Sequence, residues 1–407
     1  MLCASAAWAL AGVVGCSLSS GKGIEASGGS APAHHGGDGG AGGELFAISG
    51  VDPLTTGLGG SGGTAGSGGN GGASSGASAV SSSTGGGVSA TDAGVDADGC
   101  DPDEIVDTSL SVPVVLSETG LYRDIATKEV ARNVLPFTPQ FPLWSDGAEK
   151  HRWVHLPGCA KIDTGDMDHW EMPVGTKIWK EFVVGRVRVE TRYLHRWGPD
   201  SNDFAFQAYQ WDQAATDATQ VPRDGVKDAN GTAHDIPGEW ECAVCHGHTQ
   251  ERVLGLGAIQ LSHAGPGLTI ESLSAAGRLT VPSASFVVPG DATARAALGY
   301  LHGNCAHCHN PSPKAVWFTK MFSLKLFTTA ATVAQTDAVT TAVGVAPEKF
   351  VHPGITARIA GGDPAASGVA YRMTVRGSTD TMPALGSEIV DPAGVALITG
   401  WISGLAP

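Results

Sequence analysis

The pattern of apolar and polar positions changes character along the chain, and each change predicts a different kind of element. Residues 17–98 carry almost no apolar periodicity and are mostly Gly, Ser and Ala, as in Gly59-Gly60-Ser61-Gly62-Gly63. Such a segment cannot bury enough apolar surface to offset its ordering entropy, so 17–99 reads as a disordered Gly/Ser-rich tether. From residue 106 to about 234 short apolar runs alternate with turn residues, which predicts a mostly β region. Its clearest strand puts Val187, Val189, Thr191 and Tyr193 on one face and Arg186, Arg188, Glu190 and Arg192 on the other. Residues 178–184 supply a partner strand with Gly185 at the turn, and 204–211 a third strand with an aromatic face. Trp144, Trp153, Trp170, Trp179, Trp197 and Trp211 are expected to fill the core. The arginine-bearing side is expected to be the solvated face of a half-buried sheet.

Beyond Pro289 the period becomes helical. Asp291 is a good N-cap for a helix through Ala292, Ala296, Leu298, Tyr300 and Leu301. Asp391-Pro392 pairs an N-cap with proline at the first helical position, and Val395, Ile398, Trp401, Ile402 and Leu405 then share a helical face. The expected fold class is therefore α+β and multidomain. A β-rich domain covers 100–235, a connecting segment 236–288, and a mainly α domain 289–407.

Composition matters most at the N-terminus. The chain has 58 glycines in 407 residues, and they concentrate before Cys100. Ahead of the tether an apolar run over 4–14 is too short to span a bilayer and suits the core of a secretory signal, assigned to 1–16. Val13-Val14-Gly15-Cys16 resembles the lipobox of bacterial lipoproteins, although no Lys or Arg precedes Lys22. The alternative is a plain cleaved signal with an incidental cysteine. The lipobox resemblance implies acylation of Cys16, a membrane anchor there, and an exported protein that is periplasmic or outer-membrane-anchored. With about 0.8 kcal/mol per buried methylene, more than one acyl chain makes such an anchor effectively permanent. A formal net charge of -15 argues against nucleic acid and suits docking with redox protein partners.

The chemistry sits in the cysteines, of which there are 8. Cys242-Ala243-Val244-Cys245-His246 and Cys305-Ala306-His307-Cys308-His309 have the spacing of c-type haem attachment. In that chemistry Cys242, Cys245, Cys305 and Cys308 add to haem vinyl groups, and His246 and His309 become proximal iron ligands. The implied cofactors are two covalently attached haem c groups, and the arginine run of the 187–193 strand, favoured above as a solvated face, could instead sit near their propionates or steer an acidic partner. A structural zinc site is the alternative, since two Cys-x-x-Cys pairs supply four thiolates. Cys100 and Cys159 remain, either as a disulfide in an oxidising compartment or as two free thiols. No Ser/His/Asp order, phosphate loop or paired-carboxylate pattern rises above background.

The helix leading into Cys305-Ala306-His307-Cys308-His309, the apolar C-terminal helix and the Met382-Pro383 step between them resemble class I cytochrome c over about 289–407. In that family a loop Met before the last helix is the distal haem ligand, which implies Met382 here, with Met373 and Met321 as competitors. His307 is then an intervening residue of the motif, and His302 and His352 take ordinary surface roles. A wider resemblance rests on Pro142-Leu143-Trp144-Ser145-Asp146-Gly147, Pro173-Val174-Gly175-Thr176-Lys177, the stretch from Tyr300 to Pro311, and Gly362-Asp363-Pro364-Ala365. These segments look like a family of exported bacterial di-haem c-type cytochromes with an N-terminal β region, which implies single-electron transfer. The first haem has no local Met. His248 is too close in sequence to His246, so His263, His195, His169, His151, Met172 or an open iron remain. An open first haem would make the alternative a di-haem peroxidase-like enzyme, although the β region and the close spacing of the two motifs are foreign to that family.

Overall fold

Eight strands precede the helices. They are β1 (Tyr122–Asp124), β2 (Glu129–Val130), β3 (Leu135–Pro136), β4 (Glu149–His155), β5 (Lys177–Val184), β6 (Val187–Arg196), β7 (Phe204–Trp211) and β8 (Ala218–Gln220). The computed structural model describes residues 100–315 and 321–407. The expected signal, Cys16 and the tether lie outside the described residues. β1 and β2 form a two-stranded sheet, and β3 to β8 a six-stranded sheet in sequence order. Every pairing in that larger sheet is antiparallel.

The β5–β6 hairpin forms where the apolar pattern predicts it. Gly185 and Arg186 both take positive φ, +53° and +75°, as a two-residue turn of the kind that matches strand twist requires. The strict alternation expected along β6 does not hold. The register shifts between Phe182 and Val183, and a bulge of this kind turns two neighbouring residues toward the same side. Val189 consequently joins Ala208, Ala229 and Ile236 in a small core. Arg188 goes to the other face, bonding Glu181 at 2.5 Å and lying over the Trp211 ring.

One face of the sheet buries Trp179, Tyr193, Tyr209 and Trp211 against Leu116 and Leu121. Both indoles find acceptors, Trp179 in Thr119 and Trp211 in Thr191, each at 3.0 Å. Trp170 is also fully buried, whereas Trp144, Trp153 and Trp197 are only partly covered. At one end of the other face, Val154, Ile178 and Leu194 pack on Val253, Leu256, Leu261, Ile270 and Leu273. Residues between the two haem-type motifs therefore complete the sheet's own core.

Six helices are used below: α1 (Glu239–Gly247), α2 (Ile270–Ala275), α3 (Ala292–Asn304), α4 (Asp337–Ala342), α5 (Gly368–Thr374) and α6 (Pro392–Ser403). The two expected caps are present, with Asp291 accepting from the Ala294 N–H at 2.8 Å and Asp391 from Gly394 at 2.9 Å. Leu298 and Leu301 of α3 share a core with Met373 of α5 and with Ile398, Trp401 and Ile402 of α6. α3 and α6 approach closely at Gly394, where a Cβ would stand 2.3 Å from the Tyr300 hydroxyl oxygen. That hydroxyl donates to Asp391 at 3.0 Å, which ties the first turn of α6 to α3. Cys100 and Cys159 form a disulfide, and Glu104 beside it accepts from Gly158 at 2.8 Å and pairs with His155 at 2.9 Å. Among the described residues no helix is long and apolar enough to cross a membrane.

Candidate functional site

α1 carries the first motif. Cys242 and Cys245 sit one turn apart on the helix, which puts them on one face, and His246 falls in the last turn. After the helix the chain doubles back, and Arg252 takes a left-handed backbone with φ +60°. Its carbonyl accepts a hydrogen bond from His246 Nδ1 at 2.7 Å. A carbonyl cannot donate, so Nδ1 carries the proton and Nε2 is left with a free lone pair, as in a metal-ligating histidine. The Phe206 ring lies 4.7 Å from the imidazole and restricts its plane. Burial, together with the cationic groups of Lys180 and Arg192, pushes the His246 pKa down to about 3, so the ring is neutral.

His246, Cys242 and Cys245 line a cavity of about 1060 Å³ between α1, the six-stranded sheet and the 376–388 loop. This is at the upper end of cofactor-sized sites, which run to about 1,000 Å³. The sheet contributes an unusual wall. Arg152 of β4 is paired in register with Lys180 of β5, and Lys180 with Arg192 of β6, so three cations stand side by side on one face. Like charges opposite each other destabilise a sheet unless something neutralises them. Arg192 has its own carboxylate, bonding Glu190 at 2.6 and 3.0 Å, and Glu190 also pairs with His234 at 2.9 Å. Among the described residues Arg152 and Lys180 make no ion pair. Burial alone lowers the Arg152 pKa to about 10, and burial with neighbouring cations takes Lys180 well below the usual lysine range. The expectation of a solvated arginine face is corrected here. α1 and the residues after it stand over that face, and Arg152, Lys180 and Arg192 line the cavity between them.

A row of cations lining a cavity favours an anion there, because charges withdrawn from water without a partner are costly. The two propionates of a haem meet that need, and the donor set meets the rest: two thiols and a neutral imidazole with Nε2 free. The residues present therefore fit a covalently bound haem. The thiols themselves are not reactive thiolates. Burial raises Cys242 to about 11 and both Cys305 and Cys308 to about 12, which is unlike the depressed pKa of a catalytic cysteine. Nor do the thiols converge. Among the described residues no group of three or more His, Cys, Asp or Glu is arranged to hold a metal ion, whereas a four-thiolate zinc site needs all its ligands around one point.

The second motif starts at the end of α3. Cys305 donates its N–H to Leu301 at 2.9 Å, and the Cys308 and His309 N–H groups both return to the Cys305 carbonyl. Asn310 locks the loop by donating to the Ala306 carbonyl at 2.8 Å. His309 packs 4.7 Å from the Phe322 ring, and its Nδ1 has no hydrogen-bond partner among the described residues. The three candidate methionines are sorted by environment. Met373 is buried in the α3–α5–α6 core and Met321 is 66% exposed. Met382 is half-buried in the loop before α6, where its N–H donates to the Arg372 carbonyl at 3.1 Å. The next residue, Pro383, lines the large cavity.

The candidates for a sixth ligand to the first haem fare differently from expectation. His195 is bonded to the Asp107 carbonyl, His263 to that of Thr138, His169 to Asp166 and His151 to Glu149, while Met172 is 2% exposed in the core. None of the five lines the cavity that holds Cys242 and His246. His302, expected at the surface, lines a smaller cavity of about 100 Å³ and accepts the Leu326 N–H at 3.1 Å. The end of α3 on which it lies is covered by the 139–143 segment, since a Cβ on Gly303 would come within 2.4 Å of the Phe141 carbonyl oxygen. His307 lines both cavities. Sequence reasoning did not place Arg152, Lys180 and His307 at one cavity. For the cations the signal was strand register, which aligns them only once β4, β5 and β6 are paired.

Comparison with protein-family models, with curated proteins and with solved structures finds no match to this chain.

Proposed function

We propose that this protein is a di-haem c-type cytochrome that passes single electrons in the cell envelope. The observation that carries the reading is His246: it follows two thiols on α1, its Nδ1 is tied to Arg252, and it lines a cofactor-sized cavity with the Arg152–Lys180–Arg192 row on its wall. Bound haem supplies reversible one-electron exchange at iron. The chain's part is to hold, orient and neutralise it. Cys242 and Cys245 hold the first group by thioethers with His246 as proximal ligand, and Arg152 and Lys180 neutralise its propionates. Cys305, Cys308 and His309 do the same for the second, and Met382 is its distal ligand. The glycine contact of α3 with α6 and the Met-bearing loop between them support a class I cytochrome c-like organisation of 289–407. Membership of the exported di-haem family, acylation at Cys16 and docking of redox partners on an acidic surface belong to the same reading.

The test is production of the full chain with a haem-ligation system, followed by a pyridine haemochrome assay. Two covalent haems per chain are expected, and none would overturn the reading. In the Met382→Ala variant the Met-to-iron charge-transfer band of one haem is expected to vanish. Its survival would transfer the ligand to Met373 or Met321.

A further inference from the structure

We infer that His307, an intervening residue of the second haem motif, is the axial ligand opposite His246 on the first haem. The inference rests on the cytochrome reading above and concerns the one ligand that reading leaves unassigned.

Three imidazoles line the large cavity: His234, His246 and His307. His234 is committed to Glu190 at 2.9 Å, inside a buried pair that also engages Arg192. His246 is committed through Nδ1 to the Arg252 carbonyl. Among the described residues His307 makes no hydrogen bond through either ring nitrogen; only its backbone is engaged, with its carbonyl accepting from Asn310 at 3.3 Å. His307 is half-buried at the cavity wall, so its ring nitrogens are uncommitted where a group held in the cavity could meet them. Lys180 is the other candidate nitrogen ligand on the cavity wall. It stands in register between Arg152 and Arg192 with its Nζ engaged over the Phe182 ring, 4.8 Å from the centroid.

The backbone around His307 is rigid for a reason that suits this role. The Cys308 and His309 N–H groups close onto Cys305, Asn310 locks Ala306, and covalent attachment of the second haem at Cys305 and Cys308 would fix the residue between them. A ligand to one haem would thus sit between the two thioether bonds of the other. The peptide bond between His307 and Cys308 would then couple the two haems, and loading of the second site would preorganise the first. The five candidates considered above, His151, His169, Met172, His195 and His263, do not line this cavity.

Electron paramagnetic resonance of the ferric, full-length holoprotein tests the inference. The wild type is expected to give two low-spin haems, one of them with a bis-imidazole signature. His307→Ala is expected to retain two haems in the haemochrome assay while one converts to high spin, and added imidazole is expected to restore the low-spin signal. His307→Met should instead keep that haem low-spin, raise its potential and add a second Met-to-iron band. Two covalent haems with no bis-imidazole signal in the wild type would overturn the inference while leaving the cytochrome reading intact. So would an unchanged low-spin spectrum in His307→Ala. A high-spin first haem in the wild type would overturn it in favour of an open, peroxidase-like site. Should both variants fail to mature, the wild-type spectrum alone decides. Absence of covalent haem in the wild type would overturn the cytochrome reading itself.

Discussion

At the scale of single residues, charge in the interior is the dominant constraint. Glu190 is fully buried and serves Arg192 and His234 together. Removing one member of a buried charged network strands the others, at a cost of about 3–5 kcal/mol. Glu190→Gln is therefore expected to lower unfolding free energy by that order in urea titrations, and a loss under 1 kcal/mol, on the order of a surface pair, would show that the network is solvated. His195 gives a pH-dependent counterpart. It is buried, bonds the Asp107 carbonyl at 3.0 Å and stacks on Tyr193, and Lys177 pairs with Asp107 nearby. Burial outweighs the Asp107 contacts and lowers its pKa below the ordinary 6.5. The unfolded chain then takes up a proton that the native state refuses, so stability falls as pH drops below about 6.5 until the folded pKa is passed. His195→Asn is expected to remove up to about 1.4 kcal/mol per pH unit from that slope. Denaturation midpoints compared at pH 7.5 and 5.5 would detect it; an unaltered slope would reject it. The helix caps at Asp291 and Asp391 and the Cys100–Cys159 pair were legible at this scale, because each is decided by neighbouring residues or by the scarcity of its type.

At the scale of elements, local pattern placed β5, β6, β7, α3 and α6 correctly, since strand alternation, a two-residue turn and a capped helical stripe are short-range properties. It went wrong at the bulge beside Val183, which no periodicity announces, and so misassigned the faces of Arg188 and Val189. It also gave the arginine face to solvent, because a strand's own sequence does not say what covers it. Helix contacts are the clearest case of dependence on a partner element. Gly303 lies on α3 next to His302, and a Cβ there would meet backbone, the Phe141 carbonyl oxygen, at 2.4 Å. Backbone cannot move aside as a flexible side chain can, so Gly303→Ala is expected to cost about 1–3 kcal/mol. The loss should appear as a lowered melting temperature, with the second haem released from its low-spin state before the first during a thermal titration. Equal response of both haems would count against a local effect.

At the scale of the whole molecule, the described residues form one compact unit in which Cys242, Cys245 and His246 of the first cysteine motif and His307 of the second line a common cavity. The disulfide secures the N-terminal edge of this unit by closing a separation of 59 residues onto the turn after β4. A loop of that length implies about 2–4 kcal/mol of stabilisation, acting through the unfolded chain. The double variant Cys100→Ser/Cys159→Ser is expected to unfold at correspondingly lower denaturant concentration with both haems retained. Loss of haem attachment would instead assign the disulfide a role in maturation. What the sequence determined by itself was the two Cys-x-x-Cys-His motifs and the local elements that carry them, because motif spacing, caps and turns depend on residues a few positions apart. What only the tertiary structure decided was the environment of each motif. Cross-strand register aligned Arg152, Lys180 and Arg192, a left-handed residue aimed the Arg252 carbonyl at His246, and chain return brought His307 to the same cavity. Those relations join residues far apart in sequence, and no local pattern encodes them.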